Sequence, residues 1–343
     1  MRQTASLAQD QITFVIQGPI ALPTKEVGGT KRLVASIRRH YPKSKVVLST
    51  WTGENVEGID VDKIVFSRDP GSFPGMLDGK DFPNNINRQI LSTQAGLREV
   101  KTEFALKLRS DLVMTRPLAL KVLAHRPARL TSSPYVVTRE YVAVVDFTSI
   151  DPKKRSPLIF HPCDWIYGGR TEDILAIFQI PLMELDDATY FQKQSPLIWE
   201  KARGGQLSKY RPEAYIWTSF LASKGVRTPE SSYEFSSNWN QRSEDYMIHN
   251  LMIVSLSQFG FVSLKYPQAL FQRKSWNMLF RFQYVYTYYE WWNLHHLRLK
   301  RRAPLLFSLE SLLMFGAQRL QGTRLGRFLT SKGLGEVLAR VLK

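Results

Sequence analysis

The sequence predicts an α/β protein with a Rossmann-type mixed sheet flanked by helices. Four short apolar segments stand in the first 111 residues, and polar, glycine or proline residues follow each of them. Apolar residues recur at helical spacing in two segments between them, residues 30–39 and 85–100. Strand, helix and strand within about forty residues form a βαβ unit with a right-handed crossover, so we expect parallel strands.

The carboxyl ends of these four strands are predicted to form one ligand-binding crevice. The strands are residues 12–17 (ITFVIQ), 45–50 (KVVLST), 63–68 (KIVFSR) and 104–109 (FALKLR). They end respectively at Gln17-Gly18-Pro19, Thr50-Trp51, Asp69-Pro70-Gly71 and Ser110-Asp111. Ligands of open α/β sheets bind outside the carboxyl ends of the strands, so these groups are expected to converge on a ligand.

Beyond residue 111 the pattern is less regular. Further elements are predicted as a helix at 118–124, strand-like segments at 131–137 and 141–147, strand, loop and helix over 159–180, and a helix at 243–258. Glu172 and Asp173 fall near the start of one of these helices, where a capping role is available to them.

The positive charge is concentrated in the C-terminal part of the chain. The formal net charge is +17, and from Lys265 onward 14 lysines and arginines are accompanied by only three acidic residues. Aromatic and basic residues are interleaved from Phe271, which predicts either a peripheral membrane contact or a helical layer packed on the rest of the protein. No nucleic-acid-binding motif is present, and the charge lies outside the predicted crevice, so nucleic acid is not an expected partner.

Cysteine usage and hydropathy indicate a cytoplasmic protein. Cys163 is the only cysteine, which excludes an internal disulfide. The opening residues MRQTASLAQDQ lack the apolar stretch of a secretion signal, and no window has the roughly 18 apolar residues of a spanning helix.

Asp111 is the candidate ligand-binding residue with two equally supported interpretations. A carboxylate just past a buried strand is held rigidly, and its oxygen atoms are suitable ligands for Mg²⁺ or Mn²⁺. Alternatively, it pairs with Arg109 or caps the next helix.

The start of the second predicted helix carries a further polar cluster, Asn84, Asn87, Arg88 and Gln89. Its amide groups, its cation and the helix dipole are suited to an anion or to sugar hydroxyls. By composition alone, the same residues also serve as ordinary solvated caps.

Several strings in the chain resemble a known bacterial family. ITFVIQGPI, VVLSTWTGE, SRDPG, NNINRQILST, LKLRSDL, FHPCDW and PEAYIW occur in that order, from residue 12 to 217 and more weakly to 266. Together they resemble the WavE-like lipopolysaccharide-synthesis family, which is regarded as glycosyltransferase-like with a nucleotide-diphospho-sugar-binding fold of the GT-A type.

The resemblance implies a domain organisation and a set of donor-binding residues. Residues 1–266 form the GT-A-like domain, with a nucleotide-binding half at 1–111 and a donor-sugar and acceptor half at 112–266, and a helical, basic and aromatic region follows at 267–343.

Arg109-Ser110-Asp111 stands where GT-A enzymes place an Asp-x-Asp metal motif. The residues implied to bind the nucleotide-sugar are Gln17, Gly18, Pro19, Thr50, Asp69, Asn84, Asn87, Arg88, Arg109, Ser110 and Asp111. Because position 109 is arginine, only Asp111 can chelate in the usual way, and Arg109 can bind diphosphate directly.

The resemblance also implies a catalytic base if transfer inverts the anomeric centre. Asp164, next to Trp165 whose ring can stack on a sugar, is the first candidate, followed by Asp173, Glu172 and Glu213. Each of the first three also has a structural explanation as a turn or helix cap.

Zinc or thiol chemistry is not predicted, because His161 and Cys163 fall short of a four-ligand set. His249 is a candidate late metal ligand, with a surface histidine as the alternative.

The function implied is transfer of a sugar from a nucleotide-diphospho-sugar to a lipopolysaccharide-core or related glycan acceptor, assisted by Mn²⁺ or Mg²⁺. The acceptor would be a glycolipid or oligosaccharide, and the protein would lie on the cytoplasmic face of the inner membrane. The alternatives are a sugar nucleotidyltransferase, for which QGPIALPTKE is poor in glycine, and a non-catalytic membrane-associated scaffold of polysaccharide assembly.

Overall fold

A computed structural model describes the part of the chain that contains the predicted crevice. The described residues are 7–23, 29–77, 80–124, 132–150, 152, 158–193, 207–232, 234, 236–254 and 256–263. The predicted C-terminal region, residues 267–343, lies outside them.

A seven-stranded sheet forms the centre of the described structure, in the order β10-β8-β9-β6-β1-β2-β3. Its strands are β1 (Ile12–Gln17), β2 (Lys45–Trp51), β3 (Lys63–Ser67), β6 (Phe104–Arg109), β8 (Val142–Val145), β9 (Ile166–Arg170) and β10 (Leu251–Val254). Two short antiparallel pairs accompany it: β4 (Met76–Leu77) with β5 (Lys80–Asp81), and β7 (Leu112–Met114) with β11 (Phe261–Ser263). Strand β9 runs antiparallel to both of its neighbours, and the other adjacent pairs in the large sheet are parallel.

Helices cover both faces of the sheet. They are α1 (Thr30–His40), α2 (Ile86–Arg98), α3 (Ala119–Ala124), α4 (Thr171–Phe178), α5 (Leu185–Ala188), α6 (Pro212–Ser223), α7 (Ser237–Asn250) and α8 (Leu256–Phe259). One apolar core joins α2, α4, α6 and α7 to the sheet, and a second joins α1, α3 and α8 to the opposite face. Every residue of β1 is therefore buried, as expected for a parallel strand covered on both sides.

The predicted α/β class and the first four strands are confirmed. Strand β1 lies between β2 and β6, and Gln17 is in register with both Ser49 and Arg109. The order of strands therefore reverses on either side of β1, which makes its carboxyl end a topological switch point.

Three predicted elements beyond residue 111 are wrong. Described residues 132–137 form turns and irregular backbone rather than a strand. Over 159–180 the predicted helix is confirmed as α4, but the predicted order is wrong, because the loop at 159–165 precedes the strand β9. The predicted helix at 243–258 is instead the end of α7, followed by β10 and the short α8. The apolar run Leu251–Val254 explains this last error, because periodicity alone does not separate a short buried strand from a helix.

Candidate functional site

The carboxyl ends of β1, β2, β3 and β6 and the amino end of β9 lie along one side of the sheet, which we call the crevice edge. Strand β9 contributes its amino end because it runs antiparallel to β6. The loop before β9, with Asp164 and Trp165, is thereby brought to the same edge as Arg109. The predicted convergence of the first four strand ends is therefore confirmed.

Arg109 and Asp111 form a bidentate, or two-pronged, ion pair at the end of β6, in which two nitrogens of the guanidinium each bind one carboxylate oxygen. The Nε of Arg109 donates to Oδ1 of Asp111 at 2.9 Å, and Nη2 donates to Oδ2 at 2.5 Å. The guanidinium carbon also lies 4.7 Å from the centroid of the Trp165 ring. Both carboxylate oxygens of Asp111 thus accept from Arg109, which is the ion-pair alternative predicted from the sequence.

A second ion pair of the same form lies beyond β3. Arg88 donates from Nε and Nη2 to the two carboxylate oxygens of Asp69, each at 2.7 Å. These bonds from Arg88 lower the pKa of Asp69 below its usual value. Asp69 also accepts from the backbone of Gly71, so it completes its own turn as well.

The residues between these two pairs hold the backbone of the crevice edge. Ser110 donates from Oγ to the carbonyl of Pro19 at 2.6 Å, and its backbone N–H donates to the carbonyl of Gln17. Gly18 has φ of 111°, and its backbone N–H donates to the Ser49 carbonyl. An added Cβ at Gly18 would lie 3.4 Å from Ser110 Oγ, so the two loops pack closely here. Gly18 and Pro19 therefore shape the edge through their backbone, and Ser110 through both its backbone and its hydroxyl.

Three predicted donor-binding side chains already form hydrogen bonds within the protein, and a fourth is buried with its hydroxyl unpartnered among the described residues. Gln17 is buried and accepts from Ser92 Oγ at 2.8 Å, and Thr50 is fully buried. Asn84 accepts from the backbone of Ile86 near the start of α2. Asn87 exchanges two hydrogen bonds with the backbone of Met183, at 2.7 and 2.9 Å. Of the polar cluster at the start of α2, Arg88 and Gln89 reach the crevice edge, Arg88 by binding Asp69 and Gln89 by donating to the backbone carbonyl of Asp164.

A buried lysine, which sequence analysis did not identify, lies beneath Arg109. Lys107 is fully buried in β6, and its Nζ donates to the backbone carbonyl of Asp164. Burial lowers its pKa to about 8, against the opposing effect of the Asp164 charge. The sequence did carry a signal for this residue, because Lys107 stands inside an apolar strand. It is two positions before Arg109, so the two side chains lie on the same face of the strand.

The loop before β9 places Asp164 half-buried at the crevice edge. Its backbone carbonyl accepts from Lys107 and also from Gln89 Nε2 at 3.3 Å. The adjacent Trp165 ring is only 5% exposed and packs against Phe147 at 4.4 Å between centroids. The prediction that this ring stacks on a sugar is therefore wrong for this arrangement, because Arg109 and Phe147 already cover it.

Glu213, the second residue of α6, approaches the same loop. Its Oε2 lies 3.4 Å from Nε2 of His161, and its side chain is 17% exposed. Burial, followed by the charge of Asp164, raises the pKa of Glu213 to about 8. Burial and the charge of Arg211 lower the pKa of His161 to about 3. The two residues are 52 positions apart in the sequence, so no local pattern predicted their contact.

The other acidic candidates and His249 lie at the opposite edge of the sheet. Asp173 follows the carboxyl end of β9, and its carboxylate accepts from the backbone N–H groups of Arg139 and Glu140. Glu172 forms an ion pair with Arg139 at 2.7 Å. Neither Glu172 nor Asp173 therefore lies at the crevice edge with Asp164.

His249 precedes β10 and is buried rather than on the surface. Its Nδ1 lies 2.6 Å from the backbone carbonyl of Asp245, and its ring packs on Tyr135. Strand β10 is parallel to β8, which runs in the same direction as β6. His249 precedes β10, so it lies at the edge of the sheet away from Asp111.

The described residues do not fit the expected divalent-cation site. Both oxygens of Asp111 are bonded to a guanidinium, whose charge opposes a second cation. In the described part of the chain, no group of three or more His, Cys, Asp or Glu side chains is arranged to hold a metal ion. Cys163 is buried, and burial raises the pKa of its thiol to about 12, so the reactive thiolate form is disfavoured.

Replacing Glu213 with Gln is expected to flatten the dependence of stability on pH. The folded pKa, about 8, is above the ordinary value of 4.5, so the stabilising contribution is complete below pH 4.5 and is lost as pH rises through about 8. Glutamine stays neutral, and its advantage over wild type should grow with pH by at most about 5 kcal/mol. Urea unfolding at pH 5.5 and 8.5 measures this, with Glu99→Gln as control. A constant difference between wild type and E213Q would contradict the raised pKa.

The fold and the crevice edge define an α/β protein with paired basic and acidic groups at a topological switch point. A sequence profile described as WavE lipopolysaccharide synthesis matches residues 12–321. The chain therefore belongs to the WavE family and has a role in lipopolysaccharide synthesis. The resemblance read from the sequence is confirmed, and the match continues beyond residue 266.

Other comparisons add little to this assignment. A comparison with curated proteins finds no match. Among solved structures, a 4-diphosphocytidyl-2C-methyl-D-erythritol synthase from Anaerococcus prevotii DSM 20548 is 11% identical, with a TM-score of 0.27. The alignment covers 55% of this chain and 86% of that one. A likeness at this score supports no further conclusion. Within the described residues, no helix combines the length and the apolarity needed to cross a membrane.

Proposed function

We propose that this protein is a GT-A-type glycosyltransferase that moves a sugar from a nucleotide-diphospho-sugar to a lipopolysaccharide-core or related glycan acceptor. The observation that carries the proposal is the Arg109–Asp111 ion pair at the switch point. Ligands of open α/β sheets bind at this position, and membership of a lipopolysaccharide-synthesis family makes a sugar donor the expected ligand.

Arg109 is the proposed ligand of the donor's diphosphate. A guanidinium binds a phosphate through the same two-pronged geometry with which Arg109 now binds the Asp111 carboxylate. Asp111 then serves as the counter-ion that the diphosphate replaces. The buried cation of Lys107 adds positive potential beneath the site, since it lies on the same strand.

The Asp69–Arg88 pair is the proposed nucleoside end of the site. Strands β6 and β3 are three strand spacings apart, roughly 14 Å, because neighbouring strands lie about 4.8 Å apart. That distance is too long for one diphosphate but suits an extended nucleotide-sugar. An ionised carboxylate such as Asp69 can accept hydrogen bonds from ribose hydroxyls, and Arg88 would position it.

A thermal-shift screen against UDP-, GDP-, CMP- and dTDP-sugars, with and without Mn²⁺, tests the function. We expect one nucleotide-diphospho-sugar to raise the melting temperature by several degrees, because ligand at a hundred times Kd stabilises by about 2.7 kcal/mol. We expect the rise to persist in EDTA, because guanidinium groups rather than a metal bind the diphosphate.

Two results, from an activity assay and from cells, would reject the proposal. Release of pyrophosphate from a nucleoside triphosphate and a sugar phosphate would identify a nucleotidyltransferase. Absence of any nucleotide-sugar binding, with wild-type surface glycan in cells that carry folded Arg109→Gln protein, would favour the scaffold. A shift that requires Mn²⁺ would restore the metal role predicted for Asp111.

The basic and aromatic region 267–343 is proposed to bring the active site to a glycolipid acceptor at the membrane. The proposal comes from its sequence, since Trp and Tyr favour the headgroup zone and Lys and Arg are attracted to anionic lipid. The protein should therefore sediment with anionic vesicles in low salt and remain in solution with neutral vesicles. Recovery in the soluble fraction with both would contradict the membrane contact.

A further inference from the structure

Glu213 connects a buried imidazole with the crevice edge. Its Oε2 lies 3.4 Å from Nε2 of His161, which is only 3% exposed. Its backbone position near the start of α6 is fixed by Pro212 at the first turn and by the packing of this helix on α4. The carboxyl group is therefore placed beside His161 in the loop that carries Asp164, close enough for the Asp164 charge to act on it.

The hydrogen bonding of His161 shows which of its ring nitrogens lacks a hydrogen-bond donor. Its Nδ1 lies 3.1 Å from the backbone carbonyl of Thr148, and a carbonyl only accepts, so Nδ1 carries the hydrogen. In a neutral ring Nε2 then presents a lone pair, and within the described residues it accepts no hydrogen bond. A proton on Oε2 of Glu213 would supply the missing donor.

Burial and the charge of Asp164 favour this placement of the proton. The titratable and charged groups that act on Glu213 or respond to its charge come from three segments of the chain: His161, Cys163, Asp164, Tyr167, Arg109 and Arg211. Burial and Asp164 raise the pKa of Glu213 to about 8, although both arginines oppose this. The pKa of His161 falls to about 3, so the proton belongs to the carboxyl rather than to the ring.

We infer that Glu213 is the base that takes the proton from the acceptor hydroxyl, and that His161 is its positioning residue. The inference rests on the proposed sugar transfer, in its inverting form. The acceptor O–H bond breaks as its proton passes to ionised Glu213, and the acceptor oxygen forms a bond to the anomeric carbon. The bond from that carbon to the donor phosphate breaks, and its electron pair leaves with the nucleoside diphosphate.

His161 and Asp164 make Glu213 a stronger base than an exposed carboxylate. When Glu213 is ionised, its charge faces the lone pair of His161 and the charge of Asp164, which disfavours the anion. Once the carboxyl has taken a proton, it can donate to Nε2 of His161. A base whose pKa is close to the working pH combines an adequate ionised fraction with strong proton affinity.

The pH dependence of donor hydrolysis, with water in place of the acceptor, tests the inference. The probe is the nucleotide-sugar identified by thermal shift, and the readout is release of nucleoside diphosphate between pH 5.5 and 9.5. At saturating donor we expect kcat to rise with pH and to level off above about pH 8, whereas loss of the Lys107 proton in the same range acts on KM. Glu213→Gln should lower kcat by about a hundredfold or more and remove the rise, with donor affinity changed less than about twofold.

Variants with different side chains separate the role in proton transfer from a structural one. Glu213→Asp keeps a carboxylate, so the rise should persist with a lower kcat even if E213Q folds poorly. His161→Gln places an amide N–H beside the carboxylate, which favours its ionised form and should move the rise to lower pH. Glu99→Gln, which loses a carboxylate paired with Lys63, should behave as wild type.

Failure of this inference is distinguishable from failure of the proposed function. If wild type hydrolyses the donor but E213Q retains the rise and a kcat within about threefold, Glu213 is not the base. Loss of the rise in Asp164→Asn alone would assign the base to Asp164. If wild type neither binds nor hydrolyses any nucleotide-sugar, the transferase proposal itself is wrong, and the inference is wrong with it.

Discussion

Arg109→Gln is expected to weaken binding of the nucleotide-sugar by about a hundredfold. The substitution removes the cation and the two-pronged donor geometry that now binds Asp111. Hydrogen bonds to charged groups contribute roughly 1.5–3 kcal/mol each, and a factor of a hundred corresponds to about 2.7 kcal/mol. Isothermal titration calorimetry with the donor identified by thermal shift measures the loss directly.

Two further variants show whether the loss of donor affinity is specific to Arg109. Arg139→Gln removes an exposed arginine that pairs with Glu172 at the opposite edge, and it should leave donor affinity unchanged. Asp111→Asn should keep affinity within a few-fold, because it weakens the counter-ion with which the diphosphate competes. If D111N abolishes binding and R109Q does not, Asp111 rather than Arg109 is the ligand of the diphosphate or of its metal.

Gly96→Ala is expected to destabilise the protein by about 3 kcal/mol, because α2 lies in close contact with the sheet. A Cβ at residue 96 would lie 2.6 Å from Val15 Cγ1 and 3.0 Å from Ser49 Cβ. The helix would have to move away from β1 and β2, and it would carry Arg88 with it. Urea unfolding of the variant measures the loss of stability.

The sign of the Gly96→Ala effect distinguishes this packing from an ordinary helix position. In an exposed helix interior, alanine is more favourable than glycine by about 1 kcal/mol. The control Arg98→Ala lies at the exposed end of the same helix and should change stability by less than about 0.5 kcal/mol. A neutral or stabilising G96A would show that α2 does not pack this closely.

The sequence was sufficient to predict the four strands β1, β2, β3 and β6 and their parallel direction, because short apolar runs and βαβ connections are local signals. From that arrangement it was also possible to predict which edge of the sheet would carry the ligand-binding groups. Residues 251–254 were assigned to a helix because a short apolar run does not reveal its partner strand. Pairing with β8, more than a hundred residues away, decides their structure.

The roles of individual site residues were less predictable, because distant contacts decide them. Asn87 is a residue type that often binds ligands, but its amide nitrogen and its amide oxygen are both hydrogen-bonded to the backbone of Met183. Asp111 could equally bind a metal or Arg109, and only the geometry shows the two-pronged pair. The contact of Glu213 with His161 depends on how α6 packs beside the loop before β9, which no spacing in the sequence encodes.

The central claim is that Arg109 binds the diphosphate of a sugar donor at the crevice edge. The most direct measurement is calorimetric titration of wild type and R109Q with the nucleoside diphosphate of the stabilising donor and with the matching monophosphate. Wild type should bind the diphosphate at least about thirtyfold more tightly than the monophosphate, and R109Q should lose most of that preference. Equal affinities in wild type, or an undiminished preference in R109Q, would contradict the claim.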